Sequence, residues 1–118
     1  MFKFEKLDVW QKAIEFADVI YSVTRLFPGD ERFGLTDQMR RAAISVSSNI
    51  SEGSSRSSDI DFARFVEIGT GSLFEVVSQA TVAKRQQFLP ESDFVRIYSL
   101  AEDQGRMLSG LRRTLLGN

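Results

Sequence analysis

Between residues 7 and 27, Trp10, Ala13, Ile14, Ala17, Ile20, Tyr21 and Thr24 recur at three- and four-residue steps. That spacing lines up side chains on one face of a helix. Asp8 is the expected N-cap, and Pro28-Gly29-Asp30 supplies the turn that ends the segment. A second stripe is formed by Leu35, Met39, Ala42, Ala43, Val46 and Ile50, with Thr36 as the expected cap and Gly53 as the expected C′ residue. A third helix is predicted from about Asp59 to Phe88, opened by Ser58 and Asp61 in a capping-box arrangement. Its stripe is Phe62, Val66, Gly69, Leu73, Val76, Val77 and Ala80. Pro90 separates it from a fourth helix, about Glu91 to Leu116, whose core face carries Phe94, Ile97, Tyr98, Ala101, Leu108, Leu111 and Leu115.

No segment alternates apolar and polar residues for long enough to predict a strand. Four amphipathic helices with short connections predict an all-α fold, an antiparallel up-and-down four-helix bundle. Residues 1–118 read as a single domain, with no internal repeat and no dividing linker.

The apolar residues exceed what one stripe per helix requires. In the first helix the Trp10-centred face is expected to point inward, which leaves Val9, Phe16, Val19, Val23, Leu26 and Phe27 to one side. A bundle helix needs an apolar arc of about 100° or a little more, and positions 9, 16 and 23 repeat at the heptad spacing of a second seam. Val9, Phe16, Val19, Val23 and Leu26 are therefore the candidate oligomer interface. Ile60, Ile68, Phe74 and Val82 fall off the main stripe of the third helix, among Arg64, Glu67, Glu75 and Gln79. Gly69 and Gly71 lie inside that helix, each at a cost of about 1 kcal/mol relative to alanine; close packing is the expected reason, with a ligand groove as the alternative.

Composition narrows the chemistry. Neither cysteine nor histidine occurs in the 118 residues, which removes thiol nucleophiles, imidazole bases and the usual zinc ligand sets. Fifteen basic residues oppose sixteen acidic ones, so bulk charge does not drive the chain onto nucleic acid or an anionic membrane. No apolar run reaches the eighteen residues of a membrane span, and the N-terminus Met1-Phe2-Lys3-Phe4-Glu5-Lys6 has no signal-peptide core. A cytoplasmic location is the expectation, with no cofactor, no metal, no catalytic residues, no membrane and no small-molecule substrate. Gly69-Thr70-Gly71-Ser72 lies inside a helix and lacks the Gly-Lys of a P-loop.

The second helix carries the most unusual polar pattern. Gln38, Arg41, Ser45, Ser48 and Glu52 share one side, and Asn49 borders the apolar face. Serine and asparagine are mediocre helix formers, so such a strip points to a hydrogen-bond network or to function. In the favoured reading Arg41, Asn49 and Glu52 tie helix ends and loops together, with Glu52 pairing an arginine such as Arg56. The alternative is a phosphate- or carboxylate-binding patch of Arg40, Arg41 and Arg56, extended by Arg112-Arg113, that binds RNA or DNA once assembly gathers it. Catalysis is the least supported use. Glu52, Glu67 and Glu75 lack the Glu-x-x-His pattern of di-iron bundles.

Several stretches also carry a family resemblance. They are Leu7-Asp8-Val9-Trp10-Gln11-Lys12-Ala13, Phe27-Pro28 with Glu31-Arg32-Phe33-Gly34-Leu35-Thr36, Gln38-Met39-Arg40-Arg41-Ala42-Ala43, Ser45-Val46-Ser47-Ser48-Asn49-Ile50-Ser51-Glu52-Gly53, and Gly71-Ser72-Leu73-Phe74-Glu75. With these the chain resembles the four-helix-bundle proteins of the 23S rRNA intervening-sequence family. It departs from the family pattern at Ser47, where proline is frequent, and at Gly69, where alanine is more usual. That family is similar to the accessory proteins of diversity-generating retroelements, pentameric barrels that contact a reverse transcriptase and nucleic acid. The resemblance therefore implies a homo-oligomer, a ring of five, with a nucleic acid or ribonucleoprotein as further partner. The retroelement relatives are strongly basic, whereas this chain is mildly acidic. The resulting expectation is a non-enzymatic homo-oligomeric scaffold or adaptor, with direct RNA or DNA binding as its alternative.

Overall fold

In the computed structural model, which describes residues 1–117, four α-helices carry the chain: α1 (Asp8–Thr24), α2 (Leu35–Gly53), α3 (Asp59–Arg85) and α4 (Glu91–Leu116). Two single 3₁₀ turns, Lys3–Lys6 and Gly29–Glu31, precede α1 and α2. Each helix packs on its sequence neighbour, and α4 closes on α1. The result is the expected up-and-down four-helix bundle, with overall extents of 43 × 23 × 21 Å. Its interior is filled by Ala13, Ile20, Met39, Ala43, Val46, Ile50, Val66, Leu73, Val76, Ile97 and Leu108.

Helix ends differ from the sequence reading in informative ways. Asp8 is the first residue of α1, with Leu7 in the cap position, so its carboxylate acts on the positive end of the helix dipole instead of accepting a capping bond. The chain before it folds back: the Gln11 side chain donates to the Glu5 carbonyl at 2.9 Å, and the Phe4 ring meets Trp10 edge-on. α1 stops at Thr24, short of Phe27. There the Thr24 hydroxyl is 2.7 Å from the Ile20 carbonyl, and Phe27 turns inward against Phe88. α2 is opened by Glu31, whose Oε1 accepts from the Leu35 N–H at 3.1 Å, while Thr36 is buried inside the first turn. Ser58 caps α3 as expected, accepting from the Asp61 N–H. Ser47 sits in unbroken α2, its hydroxyl donating to the Ile44 carbonyl.

α3 ends at Arg85, three residues before the expected Phe88. The Phe88 N–H donates to the Ala83 carbonyl at 2.9 Å and the Gln87 N–H to the Lys84 carbonyl at 3.0 Å. These two bonds make a Schellman motif, with the C′ residue left-handed. That residue is Gln87, at φ 65°. Glycine adopts this conformation without a Cβ penalty. Gln87→Gly is therefore expected to stabilise the protein by about 0.5–1 kcal/mol, measured as an upward shift of the urea midpoint with unchanged slope.

The position of α1 requires one correction to the candidate interface. Val9, Phe16, Val19 and Val23 are buried within the protomer and belong to its core cluster. Only Leu26, 77% exposed, stands at the surface. The reason is that α1 is clasped between α2 and α4, so its inward face must be wide and is centred on Ala13, Phe16 and Ile20 rather than on Trp10. Ile14 becomes exposed in exchange. On α4, Tyr98 likewise lies outside the core, and Gln104, not singled out from sequence, is buried. Its amide donates to the Val9 carbonyl at 3.0 Å, pinning α4 to the first turn of α1.

Candidate interaction surfaces

The polar strip of α2 is a ladder of hydrogen bonds rather than one open patch. The Asn49 amide donates to the Ser45 carbonyl at 2.8 Å and to the Ser45 hydroxyl at 3.0 Å. The Ser45 hydroxyl is 2.9 Å from that of Ser72, which carries the chain of bonds to α3. Asn49 thus bonds within its own helix, and the serine pair makes the connection to α3. Gly69 lies alongside, where a Cβ would stand 3.5 Å from Asn49 Cβ and from the Val46 carbonyl. The two helices are close enough there that a small residue suits the crossing.

The three arginines of the candidate anion patch do not converge. Arg40 serves the end of α1: Nε donates to Thr24 Oγ1 at 2.9 Å, and the guanidinium lies 4.6 Å from the Tyr21 ring centre. A cation at a helix C-terminus complements its dipole. Arg41 is exposed and paired one turn back with Asp37 at 3.0 Å. Arg56 is at the other end of α2, stacked 4.6 Å from the Phe65 ring centre and 3.5 Å from Glu52. Arg40 lies thirteen residues before Gly53, the last residue of α2, about 20 Å along the helix, and Arg56 is in the turn beyond it. Arg112 is held by Glu67 at 2.6 Å, and Arg113 donates to Ser109. Glu52 and Arg56 pair as the structural reading expects. As exposed ion pairs, these contacts contribute little stability each.

Gly53 is neither a C′ residue nor left-handed. It is the last residue of α2, and α3 crosses directly over it. A Cβ built there would lie 2.7 Å from Phe62 Cδ1 and 2.8 Å from Phe65 Cβ. Gly71 is the opposite case: it is exposed, with nothing of the protomer within 4 Å of a built Cβ. A Cβ at position 69 would make only ordinary contacts and one at position 71 would meet no other part of the protomer, so close packing within the protomer requires glycine at neither.

The apolar surplus lies on α3 and α4. Ile60, Ile68, Phe74 and Val82 are each 49–70% exposed on α3, and Val95 and Tyr98 are 54% and 46% exposed on α4. Between the two helices runs an apolar groove of about 650 Å³, floored by Leu73, Val77, Ala101 and Gly105 and walled by Phe74 and Tyr98. Exposed apolar residues gathered beside a groove suit an interaction surface. The α3 residues were visible in the sequence as misfits to the main stripe. Tyr98 and Val95 were not, because Tyr98 follows the same spacing as the core residues around it. Gln79, read as a surface residue, is buried. Its amide nitrogen is 3.3 Å from Glu75 Oε2, and its oxygen has no partner.

Among the described residues no three carboxylates gather as a metal site, and no helix is long and apolar enough to cross a membrane. The fold and its surfaces define an all-α, four-helix-bundle protein whose most distinctive feature is an uncovered apolar face. The particular family follows from comparison: the sequence model of the 23S rRNA-intervening sequence protein matches residues 5–110, and the chain belongs to that family. A crystal structure from Bacteroides thetaiotaomicron, of a protein of unknown function in the S23 ribosomal protein family, has the same fold. The two share 20% identity and superpose with a TM-score of 0.82, covering 89% of this chain and 98% of that one. No curated protein matches the chain. Neither the family's description nor that of the solved structure names an enzymatic activity.

Proposed function

We propose that this protein is a non-enzymatic homo-oligomeric scaffold or adaptor, assembled as a ring of five, that works within a ribonucleoprotein. The observation that carries the proposal is the uncovered groove between α3 and α4, flanked by Val95 and Tyr98. Burying apolar surface is worth roughly 25 cal/mol per Å², and nothing within the protomer covers this face. A ring uses a heterologous contact, in which the groove of one copy receives a different surface of the next. Five as the number and a ribonucleoprotein as the setting rest on the family resemblance. The candidate-patch arginines, each held at a separate contact, favour a scaffold over a direct grip on nucleic acid, which needs its cations gathered on one surface.

Light scattering on the purified protein tests the assembly. A mass five times the 13.3 kDa protomer is expected at micromolar concentration. The double substitution Val95→Asp with Tyr98→Asp places two charges in the contact and is expected to raise the dissociation constant at least 100-fold. A wild-type protein that remains at the protomer mass at 100 micromolar chain overturns the reading.

A further inference from the structure

The outer face of α3 has a symmetry that the ring does not use. Its four exposed large apolar residues are arranged in pairs about Gly71: Ile68 and Phe74 three positions before and after it, and Ile60 and Val82 eleven positions before and after it. When two copies of one helix pack antiparallel about a two-fold axis, each residue meets the residue equally far beyond the axis on the other copy. A pattern that reads the same outward in both directions is what such a contact requires. Gly71 itself stands where the two backbones would cross. Glycine inside a helix is unfavourable by about 1 kcal/mol relative to alanine, and apart from its chain neighbours and its own helix backbone no atom of the protomer lies within 4 Å of a Cβ built there. The protomer therefore gives no reason for it, whereas a second backbone crossing at this point does.

We propose that α3 of one copy packs antiparallel on α3 of a second copy, with Gly71 of each at the two-fold axis. On ideal helices, at 100° and about 1.5 Å per residue, Ile60 then adjoins the second copy's Val82. Ile68 and the second copy's Phe74 stand at one level, on either side of the glycine crossing. The charges agree with this register. Arg64 and the second copy's Glu75 fall on the same flank, about 4.5 Å apart along the axis, so two symmetric ion pairs form. Glu67 would otherwise be surplus negative charge beside this contact, but Arg112 of its own protomer already neutralises it at 2.6 Å. Arg64 is free to turn, because its partner within the protomer, Asp61, is 3.8 Å away on an exposed surface. The helix offers a strip about 40 Å long and about 10 Å wide, on the order of 400 Å² per copy. That is small for a specific interface, so the pairing is weaker than the ring contact and sets in above the micromolar concentrations at which a mass of five protomers is expected. The contact is two-fold, shares Phe74 with the edge of the groove between α3 and α4 but leaves Val95 and Tyr98 to the ring, and joins copies in even numbers.

The chain has no cysteine, so single introduced thiols report the register directly. Gly71→Cys places each thiol opposite its own copy and is expected to give a disulfide-linked dimer under mild oxidation, at least tenfold faster than Ser78→Cys. Residue 78 lies seven positions from the axis, which separates the two Ser78→Cys thiols by about 21 Å, beyond disulfide reach. Arg64→Cys alone is equally separated from its own copy. A mixture of Arg64→Cys and Ser78→Cys protein, however, brings the two thiols to one level and is expected to cross-link faster than either alone. If Gly71→Cys links no faster than Ser78→Cys, or the mixture no faster than its components, the α3 pairing is wrong. Failure of these bonds in a protein that light scattering finds oligomeric overturns the pairing and leaves the ring. Persistence of the Gly71→Cys bond in the Val95→Asp, Tyr98→Asp background supports the pairing independently of the ring.

Discussion

Truncating Phe16 to alanine is expected to destabilise the protomer by about 3–5 kcal/mol, the range for deleting a large buried aromatic side chain from a core. Phe16 is 2% exposed and belongs to the core cluster to which all four helices contribute. Removing its ring leaves a cavity that neighbouring helices, tied at Gln104 and at the Arg40–Thr24 contact, cannot readily close. A domain of this kind has roughly 5–15 kcal/mol of stability in total, so the loss is a large share of it. Urea unfolding at several protein concentrations is the measurement. A core residue lowers the unfolding free energy equally at all concentrations, whereas a residue of a subunit contact changes it through association. Leu26→Ala, at the exposed end of the same heptad-spaced set, is expected to stay within about 0.5 kcal/mol of wild type. A Phe16→Ala protein of unaltered protomer stability but reduced mass would restore Phe16 to a subunit interface.

The second large effect is expected at Gly53. Alanine ordinarily stabilises a helix position by about 1 kcal/mol over glycine. Here its methyl group would lie inside contact distance of Phe62 Cδ1 and Phe65 Cβ, at 2.7 and 2.8 Å. The Phe62 ring can rotate away, but Phe65 Cβ is fixed to the α3 backbone, so the helix itself has to move. Overpacking of this kind costs about 1–3 kcal/mol, which outweighs the gain in propensity. Gly53→Ala is expected to lower the melting temperature by roughly 4–8 °C, the shift corresponding to about 1 kcal/mol in a domain near this size. A rise in melting temperature would show that α2 and α3 are farther apart at their junction than the structure places them. The shift also bears on the polar ladder, since Arg56 stacks on Phe65 and pairs with Glu52 immediately beside this crossing.

Helix number, order and type follow from spacing alone, because a 3.6-residue period can be satisfied in only one way by the stripes of α2 and α3. Met39, Ala43, Val46 and Ile50, and likewise Val66, Leu73, Val76 and Ala80, are buried as their positions require. The Ser58 cap and the Glu52–Arg56 pair were legible too, since both are local contacts within one turn of chain. The helix ends at Thr24 and Arg85 were less so, because a hydroxyl bonding its own helix and a left-handed glutamine leave no strong mark in sequence.

What the amino-acid order could not fix is the rotation of each helix about its own axis. α1 has apolar residues around more than half its circumference, and periodicity cannot tell which arc faces inward. The closure of α2 and α4 on both its sides decides that, burying Phe16, Val19 and Val23 and leaving Ile14 outside. Arg40, Arg41 and Arg56 likewise go to three separate contacts, with Thr24, with Asp37 and with Glu52. A stripe of residues is a property of one helix. Burial depends on the distances among four helices, and those exist only once they have packed.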